Sequence, residues 1–195
     1  MMTNKAYNLP NLLTYARILA VPVVVFCFFI EGRLQASDLA RWSALGIFVA
    51  ASITDFFDGY LARKWEQTSN IGRMLDPIAD KLVVSVILLL LAAEGTIAGW
   101  SLWAAVIILC REILVSGLRE YLAALEVSVP VTRLAKWKTT IQLLAIGFLL
   151  AGPAGDKILP FITEAGLVLL WVSALVTLYT GWDYFRSGLK HVIEE

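Results

Sequence analysis

The chain predicts an all-α integral membrane protein, with six transmembrane helices enclosing a polar cavity that opens to the cytoplasmic side. Three observations predict it. Hydrophobic residues make up 59% of the 195 residues and charged ones 16%, against roughly 45–50% and about 25% in soluble domains. The apolar residues gather into long runs separated by short polar stretches. Charges that interrupt those runs collect toward one set of ends, where they can line a wet cavity. With no Pro/Gly/Ser-rich linker and no compositional break, residues 1–195 read as a single domain.

In chain order, Leu9-Pro10-Asn11 reads as a helix start, with proline favoured in the first turn and asparagine as a cap. Thr14, Tyr15 and Arg17 make an amphipathic segment at about 8–20 that is expected to lie partly among the headgroups, before residues 18–30 cross the membrane and Pro22 kinks the junction. A signal peptide is disfavoured, because Arg17 abuts the apolar run and no small-residue cleavage site follows. Residues 31–41 read as a polar loop. The second span, 42–57, ends in acidic residues; 64–70 is a polar turn in which Ser69 or Asn70 caps the next helix, with Asp76-Pro77 an early-turn feature or a kink. Further spans are expected over 82–93, 100–125, 134–150 and 158–184, with Gly152-Pro153-Ala154-Gly155 as the turn between the last two. No fixed-period repeat is visible.

The chemistry is concentrated in Asp55-x2-Asp58-Gly59-x2-Ala62-Arg63-x8-Gly72-x3-Asp76-x3-Asp80. On helices, Asp55 and Asp58 at i,i+3 and Asp76 and Asp80 at i,i+4 each project from one face. Two such faces meeting would bring four carboxylates together, and like charges that close cannot all stay ionised without positive charge between them. All-oxygen ligands suit Mg²⁺ or Mn²⁺, and four carboxylates suffice for two divalent cations about 3.5–4 Å apart, as in two-metal phosphoryl transfer. Gly59 and Gly72 would let a ligand approach the helix backbone, and Arg63 could pair with a phosphate. The competing reading is a hairpin with ordinary acidic helix ends.

Other chemistries have little to work with. The formal charge of zero gives no support to nucleic-acid binding, Cys27 and Cys110 lie in apolar runs and are expected to be free, and His191 is the only histidine.

Every fixed position of this motif matches the signature of the CDP-alcohol phosphatidyltransferases, which the chain resembles. The flanking Asn11-x2-Thr14-x2-Arg17, Arg111-Glu112 and Lys136-Trp137-Lys138-Thr139 look most like the branch of that family that makes phosphatidylglycerophosphate. The resemblance implies transfer of the phosphatidyl group from CDP-diacylglycerol to sn-glycerol 3-phosphate, with release of CMP. It implies Asp55, Asp58, Asp76 and Asp80 as metal ligands, with Asp80 also taking the proton of the acceptor hydroxyl. CDP would be bound by Gly59, Ala62, Arg63 and Gly72, with Asn11 and Thr14 beside them. A homodimer is suggested as well.

The basic residues orient the chain. Six spans put both termini on one side, and all but Arg33, Arg41 and Lys157 of the 16 Lys and Arg residues fall on the side of the motif. The positive-inside rule makes that side the cytoplasm, and the resemblance implies a multi-pass protein of the bacterial plasma membrane. Arg111 lies deep in its span, where an ionisable residue normally faces the bundle interior. Being adjacent, Arg111 and Glu112 are not expected to share a helix face, whereas Glu112, Ser116 and Arg119 do, and Arg133, Lys136 and Thr140 form a comparable stripe. Arg111, Arg119, Arg133, Lys136 and Lys138 are therefore the candidates for holding the acceptor's phosphate. Lys64 and Lys190 read as topology signals among membrane lipids, and the tryptophans as interfacial belt residues. Gly46, Ala50, Gly147 and Gly166 are candidates for close helix packing.

Two alternatives stay open on this reading. One keeps the chemistry with another acceptor: inositol phosphate, serine or phosphatidylglycerol. The other is a divalent-metal or proton-coupled transporter, which would favour midplane carboxylates and inverted repeats.

Overall fold

The computed structural model describes residues 9–34, 37–64, 70–125, 127 and 133–193; within the helices, the side chains of Asp58, Gly59, Ala62, Arg63, Arg133 and Lys136 lie outside the described residues. Among the described residues six helices follow one another: α1 (Leu9–Leu34), α2 (Ser37–Lys64), α3 (Asn70–Ala93), α4 (Ser101–Ala124), α5 (Arg133–Asp156) and α6 (Ile162–Ile193). Among the described residues there is no strand. α5 pairs most extensively with α6 and α1 with α2; α4 packs on α6, α1 on α3 and α2 on α5.

Polarity is inverted relative to a soluble bundle. Leu19, Phe26, Leu89, Ile113, Val168 and Leu175 point outward, while Asn11, Thr14, Arg17, Arg41, Lys138, Gln142, Ser173 and Thr177 are buried. Water rewards the opposite arrangement; hydrocarbon outside and hydrogen-bonding groups inside is the arrangement a bilayer rewards. Between the polar layers sits a core that includes Ile87, Leu88, Leu91, Ile108, Ile146, Leu149 and Leu170. This is a membrane protein. Among the described residues three helices are long and apolar enough to cross by length and composition alone, over Asn11–Phe29, Ser101–Ala124 and Ile162–Leu189. The other helices, α2, α3 and α5, carry ionisable residues at the two polar ends, where Arg17 of α1 and Arg111, Glu112 and Arg119 of α4 join them.

Several sequence expectations are corrected here. α1 is one continuous helix through Pro22, and Asn11, Thr14 and Arg17 are buried against the bundle. The loop expected over 31–41 is mostly helix, since α1 runs to Leu34 and α2 starts at Ser37. α3 starts at Asn70 and continues through Pro77, where an early-turn feature or a kink is expected from the sequence. The turn expected at 152–155 is a kink inside α5: Gly152 takes φ +43° and ψ −133°, and the helix resumes to Asp156.

Arg41 compensates for that kink. It is buried, its NH2 contacts Glu94 and Thr96 Oγ1 (3.1 Å), and its NH1 lies 3.4 Å from the carbonyls of Leu149 and Leu150. Pro153 has no N–H to offer Leu149 four residues earlier, so the guanidinium supplies a donor that the helix lost. A Cβ on Gly152 would come within 2.6 Å of Arg41 NH1. Nearby, Lys157 reaches Asp38 at 2.7 Å. One end of the bundle is thus tied across α2, α3 and α5.

Of the small residues expected at close contacts, Gly166 qualifies: a Cβ there would sit 2.9 Å from Leu149 Cγ, which lets α6 press on α5. Gly46 has nothing within 4 Å, and Gly147 only an ordinary contact at 3.8 Å.

Candidate active site

The opposite end of the bundle holds the acidic motif. Asn11, Thr14 and Arg17, at every third residue of α1, are all buried; with 3.6 residues per turn each lies about 60° round from the last, so the three make a buried face about 120° wide. That face meets the acidic ends of α2 and α3. Thr14 Oγ1 donates to Asp76 Oδ1 at 2.5 Å. Arg17 NH1 pairs with Asp55 Oδ1 at 2.5 Å and also with Asp80 Oδ1. One guanidinium therefore stands between a carboxylate of α2 and one of α3.

Asp55, Asp76 and Asp80 are thus brought to a common face, and Gly72 is buried near the start of α3. The placement of Gly59, Ala62 and Arg63 is described only to the extent that they occupy the last turns of α2, and Asp58 belongs to the same stretch. Among the described residues no three His, Cys, Asp or Glu are gathered closely enough to grip an ion. The donor set nevertheless fits a hard divalent cation. It is all oxygen, and Asp55 and Asp80 already converge on a positive charge, the Arg17 guanidinium.

A cavity of about 440 Å³ opens beside these carboxylates. Asp76, Asp80 and Lys81 of α3 form one wall; Arg111, Glu112 and Arg119 of α4 and Lys138, Thr139 and Gln142 of α5 form the other. Glu112 is the internal counterion, accepting from Lys138 Nζ and, at 3.5 Å, from Arg111 NH1. Arg111 NH2 also contacts Thr180 Oγ1 of α6 at 3.3 Å. Arg119 is exposed and stands 5.7 Å from the Tyr184 ring centroid.

Two expectations change. Arg111 and Glu112, though adjacent, both reach this cavity, because their long side chains bend toward it from either side of the helix face. On α5 the facing residues are Lys138, Thr139 and Gln142; Thr140 turns instead to an apolar groove of about 470 Å³ between α2 and α5, lined by Trp42, Phe48, Leu143 and Phe148 among others. That groove has no ionisable wall and suits hydrocarbon. Arg133 and Lys136, the rest of the predicted stripe, have side chains outside the described residues.

The residue whose role sequence reasoning missed is Arg17. Its spacing with Asn11 and Thr14 was visible, and a buried arginine on an apolar helix was the available signal.

The model of the CDP-alcohol phosphatidyltransferases matches residues 7–179, nearly the whole chain. The chain belongs to the CDP-alcohol phosphatidyltransferase family. Curated members are similar over almost their full length. A protein of Rickettsia bellii (strain RML369-C) is 46% identical over 184 residues, covering 94% of this chain and 97% of its own. One from Cereibacter sphaeroides is 38% identical, covering 97% and 99%, and one from Escherichia coli (strain K12) is 34% identical with the same coverage. Each is named CDP-diacylglycerol–glycerol-3-phosphate 3-phosphatidyltransferase. Membership of this family makes the chain a phosphatidyltransferase and removes the transporter alternative. Divalent metal ions are general in the family.

Proposed function

We propose that this protein transfers the phosphatidyl group of CDP-diacylglycerol to sn-glycerol 3-phosphate, giving phosphatidylglycerophosphate and CMP in anionic phospholipid synthesis. The observation that carries this reading is a single cavity with Asp76 and Asp80 on one wall and Arg111, Arg119 and Lys138 on the other. A nucleophile that itself carries a phosphate needs both: carboxylates at the reacting end and cations at the far end. Inositol phosphate would meet the same charge requirement and serine would not. The names of the relatives favour glycerol 3-phosphate.

Asp55, Asp58, Asp76 and Asp80 would hold two divalent cations, Mg²⁺ or Mn²⁺. Bound there, such ions polarise the diphosphate and offset charge on the departing CMP. Thr14 and Arg17 keep Asp76, Asp55 and Asp80 turned inward. Gly59, Ala62 and Gly72 would admit the cytidine part against the helix backbones, with Asn11 alongside and Arg63 on its phosphates. Asp80 takes the proton as the acceptor hydroxyl attacks the phosphorus bearing diacylglycerol; the new P–O bond forms and the bond to CMP breaks. Arg111, Arg119 and Lys138 hold the acceptor's phosphate, with Arg133 and Lys136 on the same stretch of α5. The acyl chains stay in the bilayer.

Six crossings with the cavity and both termini facing the cytoplasm of the plasma membrane complete the reading, supported by the skew of basic residues toward the motif's end. Purified protein given CDP-diacylglycerol, Mg²⁺ and a panel of acceptors tests it through CMP release. Glycerol 3-phosphate should be the best acceptor. Faster reaction with serine or inositol phosphate would overturn the acceptor assignment, and no CMP with any acceptor would overturn the function.

A further inference from the structure

Arg111 leaves α4 toward α6 and comes to rest on Thr180 and Gly181. Its NH2 meets Thr180 Oγ1 at 3.3 Å. That hydroxyl donates to its own helix, to Val176 O at 2.9 Å, and so presents a lone pair to the guanidinium. Next to it, Gly181 is buried, and a Cβ there would fall 2.7 Å from Arg111 Cγ and 3.0 Å from Nε. The clash would involve the root of the side chain, which cannot swing away as a flexible tip can. Nor can α6 easily retreat. One heptad on, Gly188 receives Leu118 and Leu122 of α4, each with an atom 3.0 Å from where its Cβ would be. Two glycines seven residues apart thus lock this stretch of α6 against α4, and Arg111 lies in the upper notch.

We propose that Thr180 and Gly181 are positioning residues that aim Arg111 into the cavity and thereby set the preference for a phosphorylated acceptor over its unphosphorylated analogue. This rests on the reading that Arg111 binds the acceptor's phosphate. The chemistry of the seat fits the task. A neutral hydroxyl orients the guanidinium without neutralising it, and the nearby carboxylate, Glu112, is shared with Lys138. Arg111 therefore arrives fixed in direction with its charge available, which lowers the ordering cost of gripping a phosphate.

The test is steady-state CMP release by the purified full chain in mixed micelles, with each substrate varied in turn, for Thr180→Val, Thr180→Ser, Gly181→Ala, Arg111→Ala and the two doubles with Arg111→Ala. Thr180→Val and Gly181→Ala should each raise the KM for glycerol 3-phosphate about three- to tenfold. The KM for CDP-diacylglycerol and kcat at saturating acceptor should hold, and the preference for glycerol 3-phosphate over glycerol should shrink in step. Thr180→Ser should behave as wild type. In the doubles neither change should add to Arg111→Ala, since the group it positions is gone.

Unchanged acceptor KM in Thr180→Val and Gly181→Ala, equal effects on both substrates, or effects that multiply with Arg111→Ala would overturn the proposal. If Gly181→Ala does not fold, Thr180→Val decides, because it removes the hydroxyl without adding bulk. Should Arg111→Ala itself keep a normal acceptor KM, the acceptor-site reading fails and the proposal with it. Should Arg111→Ala impair the acceptor while both seat variants do not, only the proposal fails.

Discussion

Replacing Arg17 by alanine removes a guanidinium that touches both Asp55 and Asp80. The size of the effect follows from burial. Breaking a fully buried pair costs about 3–5 kcal/mol, whereas an exposed pair is worth about 0–1 kcal/mol. Arg17 has a side chain only 2% exposed, but those of Asp55 and Asp80 are 43% and 49% exposed, so solvent screens much of the unpaired charge. A loss of about 2 kcal/mol lies between these limits, and for a chain of this size it lowers the melting temperature by about 4–8 °C. Mg²⁺ should supply part of the missing positive charge and stabilise the variant more than the wild type, through preferential binding to the folded state. The assay is thermal melting in detergent, with chelator and with millimolar Mg²⁺, beside CMP release. The variant should melt lower in chelator, recover part of the difference in Mg²⁺, and turn over slowly because Asp55 and Asp80 lose their common anchor. A wild-type melting temperature in chelator, or the same deficit with and without Mg²⁺, would refute the reasoning.

Other outcomes test other parts of the molecule. Asp58→Asn and Asp76→Asn should each nearly abolish CMP release while the protein still inserts, and excess chelator should do the same to the wild type; full activity in any of these conditions would remove the metal-assisted mechanism. Arg41→Ala, at the far end, should destabilise by about 2 kcal/mol, since it takes the buried guanidinium from the partly exposed Glu94, which keeps Thr96, and from the carbonyl freed by Pro153. The KM values of whatever folds should not change, and a selective rise in either one would show that this end communicates with the site. A cysteine at Ser69, in a background with Cys27 and Cys110 replaced, should react with impermeant reagents only from the cytoplasm; labelling of intact cells would reverse the topology.

Legibility in the sequence tracked periodicity. Helix faces are a local property, so the spacing of Asp55 and Asp58, or of Asp76 and Asp80, could be read as shared faces before any partner was known. The apolar runs located the six helices, although their ends moved, because helices buried among other helices continue through polar and proline positions that read locally as breaks. Composition alone called for a membrane protein. The motif alone carried the chemistry, since its carboxylate spacing and glycines are matched by the family.

Which faces meet is another matter, decided by the packing of distant segments. Thr14 finds Asp76 across 62 residues and Arg41 finds Leu149 across 108; nothing in the local pattern of either pair names the other. Arg17 and Arg41 read as topology charges, yet one bridges the carboxylates of α2 and α3 and the other mends a kinked helix. Adjacency separated Arg111 from Glu112 on a helical wheel, but side chains of that length reach around a helix to a common cavity. The physical reason is that sequence periodicity encodes the direction in which a residue leaves its helix. The reach of its side chain, and the identity of the surface it meets, exist only once the helices have packed.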